Sequence, residues 1–245
     1  MTSAPPAKVQ TGIPGLDALL GGGFPEGKVV LLVGEPGTGK TVFASQFLMW
    51  GLETKQRAIF VGMNELKSRY LSEMKGLRID FSSHEKDGRF SFVDATSIRR
   101  IPEQASVGRI PVGGRELGLV NLVDTIQEAV AKSHPSRIAV DSISDLIFRF
   151  PSMEERRPAV LDIVEALQET GATCLITGEI TSTGPDRDLQ PEEYLSEGVI
   201  QLKTLAKGVR SIQVLKMRGS KVDTKPRPYV ITDSGLQVLA TEEIY

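Results

Sequence analysis

Short runs of apolar residues alternate along the chain with stretches in which apolar side chains recur every three or four positions. "VVLLVG" reads as a strand covered on both faces, and the periodicity after it predicts a helix from about Lys40 to Glu53. A strand "RAIFVGM", a helix around "SRYLSEMKGL" and a strand "RFSFVD" continue a βαβαβ alternation. From Ser97 to Gly118 no period is sustained. Four arginines lie there among glycines and prolines, the pattern of a long surface loop. Next come a helix through "LVNLVDTIQEAVAKS", the strand "RIAVD", a helix ending near Gly171, and the strand "ATCLITGE". Ser152 and Glu155 have capping-box spacing at the start of that second helix.

Beyond Pro191 the pattern changes to "GVIQLKTL", "VRSIQVLKM", "PYVIT" and "LQVLA", separated by short turns, which predicts antiparallel hairpins. Alternating βα units followed by strands define class α/β: a mostly parallel central sheet flanked by helices, with a C-terminal antiparallel β extension. The small and Pro-rich residues 1–10 read as a flexible tail, and 11–245 as one domain without internal repeat or linker-like break.

With 40% hydrophobic and 24% charged residues among 245, the chain has an ordinary globular composition, neither disordered nor disulfide-stapled. A net charge of −2 provides no global field for nucleic acid or an anionic membrane, so any such partner must be argued from a local patch. The single cysteine, Cys174, excludes a disulfide within the chain and lies in an apolar run, as a buried thiol would. The amino terminus lacks a basic segment followed by an apolar one, and no window approaches the ~20 apolar residues of a membrane span, so a cytoplasmic location is expected.

"GEPGTGKT", Gly34–Thr41, fits G-x-x-x-x-G-K-[ST] between a predicted strand and a predicted helix. Glycines there let successive backbone N–H groups face phosphates, and the new helix offers them its positive end. Lys40 is expected to reach the β- and γ-phosphates and Thr41 to place its hydroxyl on Mg²⁺; Gly37, Thr38, Gly39 and Val42 border the same phosphates. A carboxylate for that ion should end another central strand, and two strands qualify, at Asp94 and at Asp141. Asp141 is favoured, because it follows the more uniformly aliphatic run and precedes the small, polar "SIS".

Taken with "TGIPGLDALLGGGFPEGK", "RIAVDSISDL" and "LKMRGSKVDTKPRPYVITDSG", the chain resembles the KaiC branch of the RecA-like P-loop NTPases from about Val9 to Leu239. The resemblance implies a homohexameric ring of single-domain copies binding ATP and Mg²⁺ at subunit interfaces. It further implies that Lys216, Met217, Arg218 and Ser220, with Thr232 and Asp233, reach across from the neighbouring copy. Lys216 and Arg218, at i and i+2 of a strand, share a face, so both charges could meet one phosphate group.

Two adjacent acidic residues are the family pattern after the second strand, where this chain has Asn64 and Glu65. Asparagine can hydrogen-bond a water but cannot take its proton. Either Glu65 acts as the base, or the protein is a nucleotide-dependent switch with slow turnover that recruits a protein partner. Autophosphorylation at Ser196, Thr181 or Thr183 is disfavoured, since Glu193 and Tyr194 stand near the acceptor positions of clock-type relatives. Arg99, Arg100, Arg109 and Arg115 supply cations for a single-stranded nucleic acid but no aromatic side chain for base stacking. His84 and His134 lack ligand-spaced neighbours and read as surface residues.

Overall fold

The structure, a computed structural model, describes residues 7–98, 104–107, 110–150, 152–180 and 190–244. The chain begins with β1 (Lys8–Val9), α1 (Leu16–Leu19), β2 (Phe24–Pro25), β3 (Val29–Gly34), α2 (Lys40–Glu53), β4 (Ala58–Gly62), α3 (Lys67–Gly76), α4 (Ser82–Lys86) and β5 (Phe90–Asp94). Its middle holds β6 (Gln104–Val107), β7 (Ile110–Gly113), α5 (Gly114–Ser133), β8 (Arg137–Asp141), α6 (Ser144–Ile147), α7 (Met153–Glu169) and β9 (Thr173–Glu179). After α8 (Pro191–Leu195) come β10 (Gly198–Thr204), β11 (Arg210–Met217), β12 (Arg227–Thr232) and β13 (Gly235–Val238).

Nine strands form one sheet in the order β13-β12-β11-β10-β3-β9-β8-β4-β5. From β10 to β5 the neighbours are parallel, and from β10 to β13 they are antiparallel, the expected α/β class with its antiparallel extension. Every residue of β3 is buried because helices cover both faces of a central parallel strand. On one face Phe43, Phe47 and Leu48 of α2 pack with Val30, Leu32 and Phe60. On the other, Leu122 and Ile126 of α5 and Val160, Ile163 and Leu167 of α7 pack with Leu31, Val33 and Ile138. Stacked rings at Phe60–Tyr70 (4.0 Å) and Phe81–Phe90 (4.3 Å) fix α3 and the segment after it against β4 and β5.

The β12–β13 hairpin folds back over α2. Gln46 donates to the Leu236 carbonyl (3.1 Å) and accepts from the Leu236 N–H (2.7 Å), while the Tyr229 hydroxyl donates to the Thr38 carbonyl (2.6 Å). Gly235 sits against Gln46 with φ +100, where a Cβ would come within 2.5 Å of the amide carbon.

Three local features differ from the sequence expectation. The long loop expected over Ser97–Gly118 contains the antiparallel pair β6–β7, and α5 begins at Gly114, before Leu119. Pro111 and the neighbouring glycines hide so short an alternation, yet proline is tolerated in a two-stranded ribbon where every strand is an edge. Lys8–Val9, assigned to the tail, pair with Phe24–Pro25. The helices α4, α6 and α8, of five, four and five residues, are too short to establish a period. At α7 the Ser152 side chain accepts from the Glu155 N–H, the cap its spacing predicts. No helix among the described residues is long and apolar enough to cross a membrane.

Gln46→Ala removes two buried hydrogen bonds and leaves the Leu236 backbone groups unpaired. It is expected to lower unfolding stability by about 2 kcal/mol, measured by chemical denaturation; a loss below about 0.5 kcal/mol would show that the hairpin does not lean on this clamp.

Candidate functional site: a phosphate loop and a distant pair of cations

All the parallel strands of the sheet end at one edge, and the loop from Gly34 to Thr41 rises from that edge into α2. Gly37 and Gly39 take left-handed backbone conformations (φ +79 and +93), and at Gly39 a Cβ would fall 2.6 Å from Ile231 Cδ1. A side chain at Gly39 is thus opposed both by conformation and by the hairpin above it. Thr38 is buried and donates to the Glu35 carbonyl at 2.8 Å. Lys40 folds back over the loop, its Nζ donating to the carbonyls of Gly34 (2.8 Å) and Glu35 (3.1 Å). Burial draws the Lys40 pKa down, and the charges of Asp141, Glu179 and Glu35 oppose that shift. Val42, in the first turn of α2, is partly buried against the core.

The Thr41 hydroxyl donates to Asp141 Oδ2 at 2.6 Å, and Thr177 Oγ1 donates to Oδ1 of the same carboxylate. The Asp141 carbonyl accepts from the Met63 N–H at 2.9 Å, which ties the end of β8 to the chain leaving β4. The Asp141–Ser142 peptide is cis. Asp94, the other carboxylate weighed, accepts from the N–H (2.9 Å) and hydroxyl (2.7 Å) of Thr96 and closes a local turn. A hydroxyl and a carboxylate are hard oxygen donors, and Mg²⁺ commonly takes one or two such groups together with waters and substrate phosphates. Thr41 and Asp141 fit that ion; among the described residues no group of three His, Cys, Asp or Glu forms a cage of its own.

Asn64 is exposed at the end of the turn after β4. Glu65 lies 3.4 Å from Arg69 Nε, which also donates to Glu73 at 2.8 Å. Burial, reinforced by Glu73, pushes the Glu65 carboxyl up to about 7, against the pull of Arg69. The Tyr70 hydroxyl meets Ser45 Oγ at 2.9 Å, and that serine donates to the Thr41 carbonyl at 2.7 Å, so α3 is tied to the phosphate-loop helix.

Lys216 and Arg218 share a face, as their spacing requires. Lys216 Nζ donates to the carbonyls of Glu193 (2.8 Å) and Tyr194 (3.1 Å), and Arg218 donates to the Tyr194 carbonyl at 2.8 Å. These carbonyls terminate α8, the end of a helix that favours cations. Met217 points the other way into the core, its sulfur 2.5 Å from where a Gly198 Cβ would be, so only its backbone is free to meet a ligand. Ser220 accepts from Lys8, which also donates to the carbonyls of Leu20 and Gly23.

The strand register separates this group from the loop. Met217 pairs with Gly198 and Gly198 with Val30, whereas Gly34 pairs with Leu202. Lys216 and Arg218 therefore lie about 13 Å along the strands from the loop, at the opposite edge of the sheet. Thr232 and Asp233, grouped with them on the sequence, do not lie there. They follow Ile231, whose Cδ1 lies against Gly39, where β12 ends and its turn begins, with Thr232 Oγ1 accepting from the Ser234 N–H at 3.2 Å. An antiparallel hairpin sends successive strands to opposite edges, which motif spacing alone does not register.

Arg115 lies in the first turn of α5 and pairs with Glu155 at 3.3 Å; Arg99, Arg100 and Arg109 lie outside the described residues, as do Thr181 and Thr183. The Ser196 hydroxyl is buried and donates to the Glu192 carbonyl at 2.7 Å. Cys174 is buried, its thiol pushed up to about 12 by burial. His134 is exposed and His84 half-buried. Sequence reasoning missed Thr177, Glu179 and Tyr229 around the loop, since only the strand order reveals that β9 and the hairpin border it.

Fold and loop together define a P-loop ATPase of the RecA type. A model of the KaiC ATPase family matches residues 9–243, and the chain belongs to that family. A UPF0273 protein of Aeropyrum pernix is 34% identical over 94% of this chain and 93% of its own length. The circadian clock protein KaiC3 of Synechocystis is 31% identical over 97% of this chain but 46% of itself. Among solved structures, a KaiC-like protein from Pyrococcus horikoshii superposes with a TM-score of 0.78 at 31% identity, covering 96% of this chain and 99% of that one.

Two outcomes are expected at this site. Asp141→Asn should weaken Mg²⁺-dependent binding of a fluorescent ATP analogue about tenfold or more while binding without Mg²⁺ changes little; equal loss in both conditions would remove Asp141 from the ion. Because Glu73 helps to raise Glu65, Glu73→Gln should lower the Glu65 midpoint from about 7, read by carboxyl NMR titration. An unmoved midpoint would leave burial, with a smaller contribution from the charge of Asp141, as the cause.

Proposed function

We propose that this protein is a Mg²⁺-dependent ATP hydrolase working as a ring of identical copies, a hexamer. The phosphate loop of one copy holds the nucleotide, and Lys216 and Arg218 of the next complete the site. The observation that carries this reading is the placement of the two cations at the edge of the sheet opposite their own loop. They cannot serve the phosphates of their own chain, yet they are paired on one face.

Each part has a distinct task. The backbone N–H groups at the start of α2 and the Lys40 ammonium bind the β- and γ-phosphates; Lys40 exchanges the carbonyls of Gly34 and Glu35 for phosphate oxygens. Thr41 and Asp141 would hold the ion, whose positive charge would offset that of the phosphates. Thr232 and Asp233 border the nucleotide from the same copy as the loop. Arg218 and Lys216 of the neighbour bring positive charge to the phosphoryl group in flight, and leave the α8 carbonyls to do so. A cation delivered in this way makes turnover a property of the assembly.

Steady-state turnover per chain should therefore rise with protein concentration as rings form. Arg218→Ala should lower kcat by about 10³-fold with nucleotide affinity of the P-loop retained. Mixing Arg218→Ala with Lys40→Ala chains restores some activity if the sites are shared, since some interfaces then pair an intact loop with an intact arginine. Turnover independent of concentration, or mixtures with no recovery, would refute the shared site.

A further inference from the structure

One strand lies between the phosphate loop and the ion-binding carboxylate, and it ends on a glutamate with no role in the reading above. β9 runs between β3, which feeds the loop, and β8, which ends at Asp141. Two residues before its end, Thr177 reaches Asp141 with its hydroxyl. Two residues earlier still, Leu175 packs in the same cluster as Phe43 and Phe47 of α2. By the alternation of a strand, Glu179 emerges on that same face, one pleat further out at the edge where the loop stands. Its partner across the ladder is Gly34, whose carbonyl holds Lys40. The Glu179 N–H donates to Ser144 Oγ at 2.7 Å, so its backbone is fixed while its side chain is exposed. Its charge is among those that act on Lys40.

Glu65 is placed less well for the same work. β4 is separated from β3 by both β9 and β8, and the Glu65 carboxylate sits against Arg69, which it shares with Glu73. Asn64 has no carboxylate to offer.

Resting on the ATPase reading above, we propose that Glu179 orients the attacking water and accepts its proton. The water oxygen forms a bond to the γ-phosphorus while the bond from that phosphorus to the bridging oxygen of the β-phosphate breaks. The electron pair leaves with ADP, and the proton lost by the water passes to the Glu179 carboxylate before release with inorganic phosphate. The base then comes from the strand between loop and ion, and the asparagine after β4 costs the enzyme no proton acceptor.

The test compares Glu179→Gln and Glu65→Gln with the parent chain at a concentration where rings have formed. Both are isosteric changes at side chains outside the core. Glu179→Gln should lower kcat by about 10²- to 10⁴-fold, with the Kd of a non-hydrolysable ATP analogue and the thermal midpoint nearly unchanged. Glu65→Gln should keep at least about a third of the parent kcat. If Glu179 only neutralises Lys40, Glu179→Gln instead tightens analogue binding and leaves kcat within about threefold, which overturns the proposal. Loss of turnover in Glu65→Gln alone overturns it too. A parent without any turnover refutes the hydrolytic reading itself, an outcome distinct from both.

Discussion

The hydrogen bond from Thr41 to Asp141 joins the first turn of the phosphate-loop helix to a strand two positions away in the sheet. It forms only if α2 lies across the face of β9 and β8 at one height. That height is set by Phe43, Phe47 and Leu48 packing on the sheet, by Gln46 clamped to Leu236, and by Tyr70 reaching Ser45 from α3. The two ends of the bond also differ in character. Thr41 begins a helix whose free N–H groups favour anions, and Asp141 is an anion held by two hydroxyls. Opposite demands thus meet in a few ångströms, a place suited to a cation bridged to phosphate.

From β10 to β5 the strands of the sheet all run in the same sense. Five parallel ladders put the ends of β3, β4, β5, β8 and β9 at one edge, where loops, glycines and carboxylates gather. The antiparallel strands break that rule and carry groups to either edge: β11 takes Lys216 and Arg218 down, and β12 brings Thr232 back up. One chain therefore carries its phosphate loop and the Lys216–Arg218 pair at opposite ends of the sheet. In the proposed ring, a neighbouring copy would bring the two together.

Much of the fold was legible in sequence because long apolar periods leave little choice: α2 begins and ends at the predicted residues, Lys40 and Glu53, and all the main parallel strands were found. The hairpin β6–β7 was not, since Pro111 and Gly113 within it carry the signature of a loop. The P-loop could be read directly because its chemistry is contiguous. Glu179 and Thr177 could not, as they matter only through strand order, which no spacing encodes. Thr232 and Asp233 stand where a strand ends, at the opposite edge from Lys216 and Arg218, a separation that the spacing of the motif does not encode.

Tyr229 and Ile231 press on Thr38 and Gly39 from almost two hundred positions along the chain, and β10 fills the place beside β3 from nearly as far. Such contacts make the nucleotide site a product of late synthesis. While the ribosome is still making residues 200–230, the loop is already outside with one flank of its strand bare and its glycines uncovered. A chain ending before β12 would lack the two residues, Tyr229 and Ile231, that cover Thr38 and Gly39.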